Sequence, residues 1–435
     1  MMKRIILLAV MAGLAGPALA KAWDEAPGER FELPAMSAAD FYAADPAAAP
    51  EPIPARDVNW ARAQDGFAKV KFGLVSKAER RDYIAGAELW RPEESLNLGA
   101  VDFKAGPYSP NKYRPEEQVT CEYVPMAEAY DGEKPNGLTP KFKCRNAEGK
   151  KFKVKYGSDN GEVITEVAAS WILTAIGAYA DRMYPVRLTC PDCPSDPFKN
   201  ENDRGAWPAN SLVAIEDKLG ERIEYKANSG IGFDEFHLIT DRVGAEALSG
   251  MSQFFGNSDN KAPNQALACH KKDLVTDATG RAVCLKPVVY LQDMGISFGG
   301  RGWFHNSRMN FRKWAKEKVW DDPAACVMHL NATHTSSLSG ADSTGRDLHQ
   351  IGEKARQLMI RRLSLLSRAQ LIDIFTAARA SSRSPQHTPE EWADLFLSKV
   401  EKLRNPMGSK TKPGFACPYQ TVPPNSAPPA FPVVY

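Results

Sequence analysis

The chain has almost no net charge: 55 Lys and Arg nearly cancel 53 Asp and Glu over 435 residues. That leaves no global field to attract nucleic acid or an anionic membrane surface, and neither is expected as a partner. After its start, it has no apolar run near the roughly 18 residues that a membrane-spanning helix needs. Val167 to Ala180 comes nearest, bounded by Glu166 and Asp181, so no transmembrane anchor is expected. There is no internal repeat, which sets aside solenoids. Ser336-Ser337-Leu338-Ser339-Gly340 lacks the Gly-x-Ser-x-Gly elbow of a hydrolase. His329, His334 and His349 fit no structural-zinc spacing and have no Cys pair beside them.

The first segment is distinctive. Met1-Met2-Lys3-Arg4 is followed by an apolar run from Ile5 to Ala15 and then by Pro17-Ala18-Leu19-Ala20. Residues 1–20 therefore read as a secretory signal segment cleaved after Ala20. No Cys follows that site, so a lipid-anchored form is not expected, and the expected location is periplasmic or secreted. Eight cysteines, an even number, make disulfides the default in such a chain. Nearest-neighbour pairing joins Cys121 to Cys144, Cys190 to Cys193, Cys269 to Cys284 and Cys326 to Cys417, although sequence leaves the connectivity open. Cys190-Pro191-Asp192-Cys193 has redox-motif spacing, but it sits among prolines with no helix start in view. A structural loop disulfide is the expectation there. The third pair flanks the turn Asp277-Ala278-Thr279-Gly280, as a stapled hairpin would.

The length exceeds the usual single core, so two lobes are expected. Residues 21–60 are an Ala/Pro-rich extended leader, and 61–115 an extension with a short helix near Ser76 to Ala87. Residues 116–217 form a small lobe. In it, Thr139 to Arg145 and Lys151 to Tyr156 alternate around the turn Asn146-Ala147-Glu148-Gly149, which predicts a hairpin. Lys151, Lys153 and Lys155 share one of its faces. A helix follows from about Glu162 to Ala178, with Val163, Val167, Trp171 and Ala175 at helical spacing. Short strands follow over 183–190 and 211–217. Residues 218–404 form a larger, mainly helical lobe. Its expected elements are helices over Phe233 to Phe255, a strand Val288 to Leu291, helices Leu348 to Ser367 and Ser367 to Ser381, and a helix starting at Thr388-Pro389. The basic stretch Arg356 to Arg368 reads as an amphipathic helix with a solvated face. Residues 405–435 are a Pro-rich tail. The fold class is thus α+β and bilobal, with a β-rich first lobe carrying one key helix.

The chemistry-bearing stretch is Asn257-Ser258-Asp259-Asn260-Lys261-Ala262-Pro263-Asn264, followed later by Asp293-Met294-Gly295. Phosphoryl transfer needs a carboxylate to orient a hydroxyl, a cation for the moving phosphate, and an amide with a second carboxylate to hold metal. Asp259 and Lys261 fill the first two roles, and Asn264 and Asp293 the metal roles. Upstream, Lys155 ends a strand and Glu166 sits in the next helix, eleven residues on, as a phosphate-anchoring ion pair would. The segment Pro135-Asn136-Gly137-Leu138-Thr139 can cover phosphates with backbone N–H groups, with Gly137 at its tip.

These residues resemble the protein-kinase-like superfamily. The likeness is to its atypical branches: HipA-type toxin kinases, the phosphatidylinositol-kinase-like group and a set of exported bacterial proteins. The matching segments are Thr139-Pro140-Lys141-Phe142, Lys153-Val154-Lys155-Tyr156-Gly157, Glu166, the Asn257 to Asn264 stretch and Asp293 to Gly299. The resemblance covers roughly residues 135 to 380. It implies a kinase-like fold, ATP or another nucleotide in the cleft, and Mg²⁺ or Mn²⁺. Asn257 replaces the usual histidine and Met294 the usual Phe, the gap from Asn264 to Asp293 is long, and no Ala-Pro-Glu element follows. These departures bear on substrate choice more than on nucleotide binding. The expected activity is an exported phosphotransferase whose acceptor is a protein, lipid headgroup, glycan or small molecule. The competing reading is a pseudokinase-like envelope protein that binds a ligand or partner without turnover.

Overall fold

Alternating burial along two short runs sets the first lobe. Lys141–Arg145 (β3) and Lys151–Tyr156 (β4) pair antiparallel, with Phe142 and Val154 opposite one another and fully buried. The turn closes because the Asn146 side chain accepts the Lys150 N–H at 2.8 Å and Gly149 takes a φ of +73°. The computed structural model describes residues 72–130, 135, 137, 139–157, 160–300, 309–331, 337–338, 348–410 and 414–420. All of these fall in one compact unit. The expected signal segment, the leader over 21–60, His334 and the tail beyond 420 lie outside the described residues.

Gln118–Thr120 (β1), Glu122–Val124 (β2), Arg182–Thr189 (β5) and Ser211–Asp217 (β6) complete a six-stranded sheet in the order β1-β5-β6-β4-β3-β2. Only Cys121 separates β1 from β2, yet they occupy opposite edges, so the sheet curls until the edges meet. Gly161–Ala175 (α2, following α1 at Lys77–Ala85) packs on β5. Every residue of α2 except Thr174 is buried, as expected of a helix that is apolar nearly all round. Asn160 caps its start, and Gly177 at φ +89° ends it close to the expected point.

The second lobe begins with a 3₁₀ turn, Phe233–Leu238, and Arg242–Phe254 (α3), where sequence predicts one or two helices over 233–255. Gln265–Cys269 (β8) pairs antiparallel with Pro287–Leu291 (β11), and Glu221–Arg222 (β7) flanks β8. Between them, Leu274–Thr276 (β9) and Ala282–Cys284 (β10) form the expected stapled hairpin. Beyond the short helices Phe311–Lys316 and Ala380–Arg383, the longer ones that follow are Glu353–Leu363 (α4), Arg368–Ala377 (α5, capped by Ser367) and Pro389–Arg404 (α6, capped by Thr388). They close over an aromatic core of Phe255, Phe298, Trp314, Phe375, Trp392 and Phe396.

The helix predicted from Leu348 starts only at Glu353, because Gln350 is tied to Val327 in a β-bridge. The basic face of that helix is only partly solvated: Arg361 keeps 41% of its side chain exposed, but Arg356 is 2% exposed and Arg362 6%. Arg356 forks onto Glu353 and donates to the Leu403 carbonyl, so it ties α4 to the end of α6. The four disulfides are those of nearest-neighbour pairing.

Lys399 of α6 is a buried cation. It is 1% exposed and donates to the Glu317 carbonyl at 2.8 Å. Burial pushes its ammonium down to about 8, against the pull of Glu317. Between that value and the ordinary lysine range, the unfolded chain keeps a proton that the folded chain has lost, so stability rises with pH across the window. Relative to Lys399→Met, the wild type is expected to gain about 2 kcal/mol from about pH 7.5 to about pH 10. Urea unfolding of both proteins at the two pH values checks this.

Candidate active site

β4 delivers Lys155 to the site at its penultimate position, opposite Lys141 on β3 and Ala214 on β6. α2 delivers Glu166 from its second turn. The two side chains are 5% and 2% exposed, and the Lys155 ammonium donates to the Glu166 carboxylate. Glu216 of β6, also buried, lies 3.1 Å from the same ammonium. Burial by itself lowers the Lys155 ammonium. Attraction from Glu166, Glu216 and Asp293 outweighs it and holds the ammonium well above its usual range. Two carboxylates thus pair with one cation, and Asp293 adds a third negative charge acting on it. Burial, only partly offset by Lys155, pushes the Glu166 carboxyl up, with repulsion from Asp293 and Glu216 adding to it.

Asp293 follows β11. Burial opposes its charge, but attraction to Lys155 and a hydrogen bond from the Gly295 N–H outweigh it, and the carboxyl stays below its usual value. The first turn of α2 lies against this turn. A Cβ at Gly295 would stand 2.2 Å from Glu162 Cγ, so the position admits no side chain without displacing Glu162.

The Asp259 loop is fastened to the same turn by backbone. The Asn264 carbonyl accepts the N–H groups of Gln292 at 2.9 Å and Asp293 at 3.3 Å. Ser258 N–H donates to the Ile296 carbonyl, and Phe298 N–H to that of Phe255. Within the loop, the Asn264 amide donates to the Asp259 carbonyl at 2.5 Å, and Lys261 donates to both Asp259 carboxylate oxygens at 2.8 and 2.7 Å. Asn257 donates to Met294 Sδ at 3.3 Å and accepts the Asp259 N–H. The two departures noted in the sequence therefore face each other and join the two segments.

Lys155, Glu166 and Asp293 converge by charge, and Asp259, Lys261 and Asn264 are joined to Asp293 through the backbone. Gly137 is exposed at φ +91°, and a Cβ there would lie 3.0 Å from the Lys141 ammonium; Asn136 and Leu138 lie outside the described residues. The element order is the one the kinase-like resemblance implies: sheet with Lys155, helix with Glu166, then α3, the Asp259 loop, a two-stranded hairpin and Asp293.

No family model and no curated protein matches the chain. Among solved structures it is similar to the proinflammatory kinase CtkA of Helicobacter pylori, at 10% identity and a TM-score of 0.35, covering 67% of this chain and 94% of that one. That likeness is too slight to add weight to the architecture itself.

Two site residues have no role in the sequence reading. Lys141 sits in a matched segment, and the structure turns it toward the site. Burial and repulsion from Lys155 lower its ammonium, against attraction from Asp293, Glu162 and Glu166. Glu216 binds three lysines: Lys153 and Lys218 at 2.5 Å each, and Lys155. Its only sequence signal is a carboxylate ending an apolar strand, and β4–β6 pairing alone gives that meaning.

Proposed function

We propose that the protein is an exported phosphotransferase that uses ATP or another nucleotide with Mg²⁺ or Mn²⁺, on the pattern of the atypical kinase-like branches. The convergence of Lys155, Glu166 and Asp293 beside Asn264 and Asp259 carries the proposal. In it, Lys155, held extended by Glu166 and Glu216, anchors nucleotide phosphates, and Lys141 beside Gly137 adds a second cation to the same side. The Asp293 carboxylate and Asn264 amide oxygen are hard donors of the kind Mg²⁺ and Mn²⁺ take. The ion would neutralise phosphate charge. Asp259 orients the acceptor hydroxyl and takes its proton, while Lys261, released from Asp259, faces the transferring group. Cleavage after Ala20 delivers the chain outside the cytoplasm. Compartments there are poor in ATP, so the reading includes action after delivery elsewhere.

Thermal shift tests it. ATP with Mg²⁺ or Mn²⁺ at saturating concentration is expected to raise the melting temperature by a few degrees. ATP without metal is expected to give little shift, and Asp293→Asn to lose the metal-dependent part. No shift across nucleotides and metals would remove the proposal, and a shift without turnover would leave a binding protein.

A further inference from the structure

Four sulfurs gather apart from the residues described above. Cys121 lies between β1 and β2, Cys144 in β3, and Cys190 and Cys193 in the turn after β5. Sheet order brings β1 and β5 from one edge to meet β2 and β3 at the other, so these cysteines sit on the seam. The Sγ atoms of Cys121, Cys144 and Cys190 all lie within 4.8 Å of one another, and Cys193 is bonded to Cys190. All four are at most 3% exposed. Among the described residues the other two disulfides form no such group.

We propose that these four cysteines are a redox-exchangeable zinc site: two disulfides when oxidised, and one four-thiolate centre when reduced. A tetrahedral zinc with bonds of about 2.3 Å sets its sulfurs about 3.8 Å apart. Three of the sulfurs, Cys121, Cys144 and Cys190, already lie within 4.8 Å of one another, so none of these separations exceeds that edge by more than about an ångström. Opening the pairs by side-chain rotation reaches it, since the Cα atoms already stand 5.7 and 5.3 Å apart.

The backbone around the sulfurs is fixed independently of their bonding. Cys121 N–H donates to the Thr189 carbonyl, Tyr123 N–H to Asp192 Oδ1, and Gly205 N–H to the Cys193 carbonyl. Four thiolates with one Zn²⁺ carry two negative charges, and Arg204, stacked 4.7 Å over the Tyr123 ring, places a cation beside them. In the reducing step, each disulfide takes two electrons and two protons from a dithiol, which leaves as its own disulfide. Zinc then displaces four thiol protons. The seam of the curled sheet stays pinned in both states.

The test reduces the folded full chain with a phosphine, which becomes its oxide as water supplies the oxygen, and adds Co²⁺ as a spectroscopic stand-in for zinc. The intense visible absorption of a tetrahedral cobalt-thiolate centre is expected to saturate at one equivalent and to vanish when Zn²⁺ is added. It is expected to be lost in Cys121→Ser/Cys144→Ser and in Cys190→Ser/Cys193→Ser, and kept in Cys269→Ser/Cys284→Ser. Zinc is also expected to raise the melting temperature of the reduced chain by about 5–10 °C. Absence of the band in a reduced chain that keeps its circular dichroism overturns the proposal, as does a band surviving in either of the first two variants. So does a reduced chain that unfolds and is not restored by zinc. Loss of the band in Asp192→Asn overturns the four-thiolate set, because that carboxylate also lies within reach of Cys190 and Cys193.

Discussion

Lys155→Met is expected to cost about 3–5 kcal/mol of folding stability, more than most single substitutions. Methionine fills the space of the side chain but leaves Glu166 and Glu216 without their shared cation. Glu216 keeps Lys153 and Lys218. Glu166 keeps nothing comparable: it is 2% exposed, and its second oxygen already has no hydrogen-bond partner. The cost is the desolvation of that orphaned acid, so removing the acid as well returns part of the loss. Lys155→Met/Glu166→Met is expected to be more stable than Lys155→Met alone, by about 1–3 kcal/mol. Urea unfolding of the wild type, both single variants and the double variant measures the coupling. Additive losses would mean that the pair contributes no interaction energy and that Lys155 is held by packing alone. If the nucleotide site is as proposed, the metal-dependent thermal shift disappears in both variants carrying Lys155→Met.

The parts of this site that sequence reveals are those written in local order. The β3–β4 hairpin alternates and turns on Asn146 and Gly149, so it places Lys155 before any coordinates exist. The Lys155 to Glu166 spacing and the Asp259 to Asn264 loop are equally local. The parts it hides depend on which strands become neighbours. β8 is buried at every position and shows no alternation, so the strand beginning just after Asn264 goes unnoticed. β1 and β2 are three residues each, too short to register as strands, yet their placement closes the sheet and assembles the cysteine seam.

Beyond the short helix expected near Ser76 to Ala87 and found at Lys77–Ala85, residues 72–115 carry no readable function, because they work by capping groups elsewhere. Arg80 reaches Glu235 and the Gly230 carbonyl, and Gly230 in turn lies against the Asp259 loop: a Cβ there would meet the Ala262 carbonyl at 2.0 Å. Glu88 exchanges backbone bonds with Pro287 and Val289 of β11, the strand that leads to Asp293. A segment without a motif thereby braces both halves of the site from behind.

Asp259→Asn separates chemistry from architecture. The carboxylate is 21% exposed, and its ion pair with Lys261, itself 39% exposed, is of the kind that contributes less than about 1 kcal/mol. Asparagine preserves the shape, and the loop's anchoring bonds run through the Asp259 backbone, which the substitution leaves in place. Stability is therefore expected to change by under about 1 kcal/mol. The nucleotide-induced thermal shift is expected to persist, since Lys155, Asn264 and Asp293 are untouched. Turnover, read as nucleotide hydrolysis or self-phosphorylation, is expected to fall by about 10²–10⁴-fold, the usual contribution of a positioned acid–base group. A variant that keeps wild-type turnover would remove Asp259 from the chemistry while leaving the nucleotide site standing. One that loses stability and binding together would mean that Asp259 holds the loop. The contrast with Lys155→Met is then the decisive comparison, because one substitution takes away a buried charge that organises the lobe and the other a half-buried charge whose value lies in what it does to a substrate.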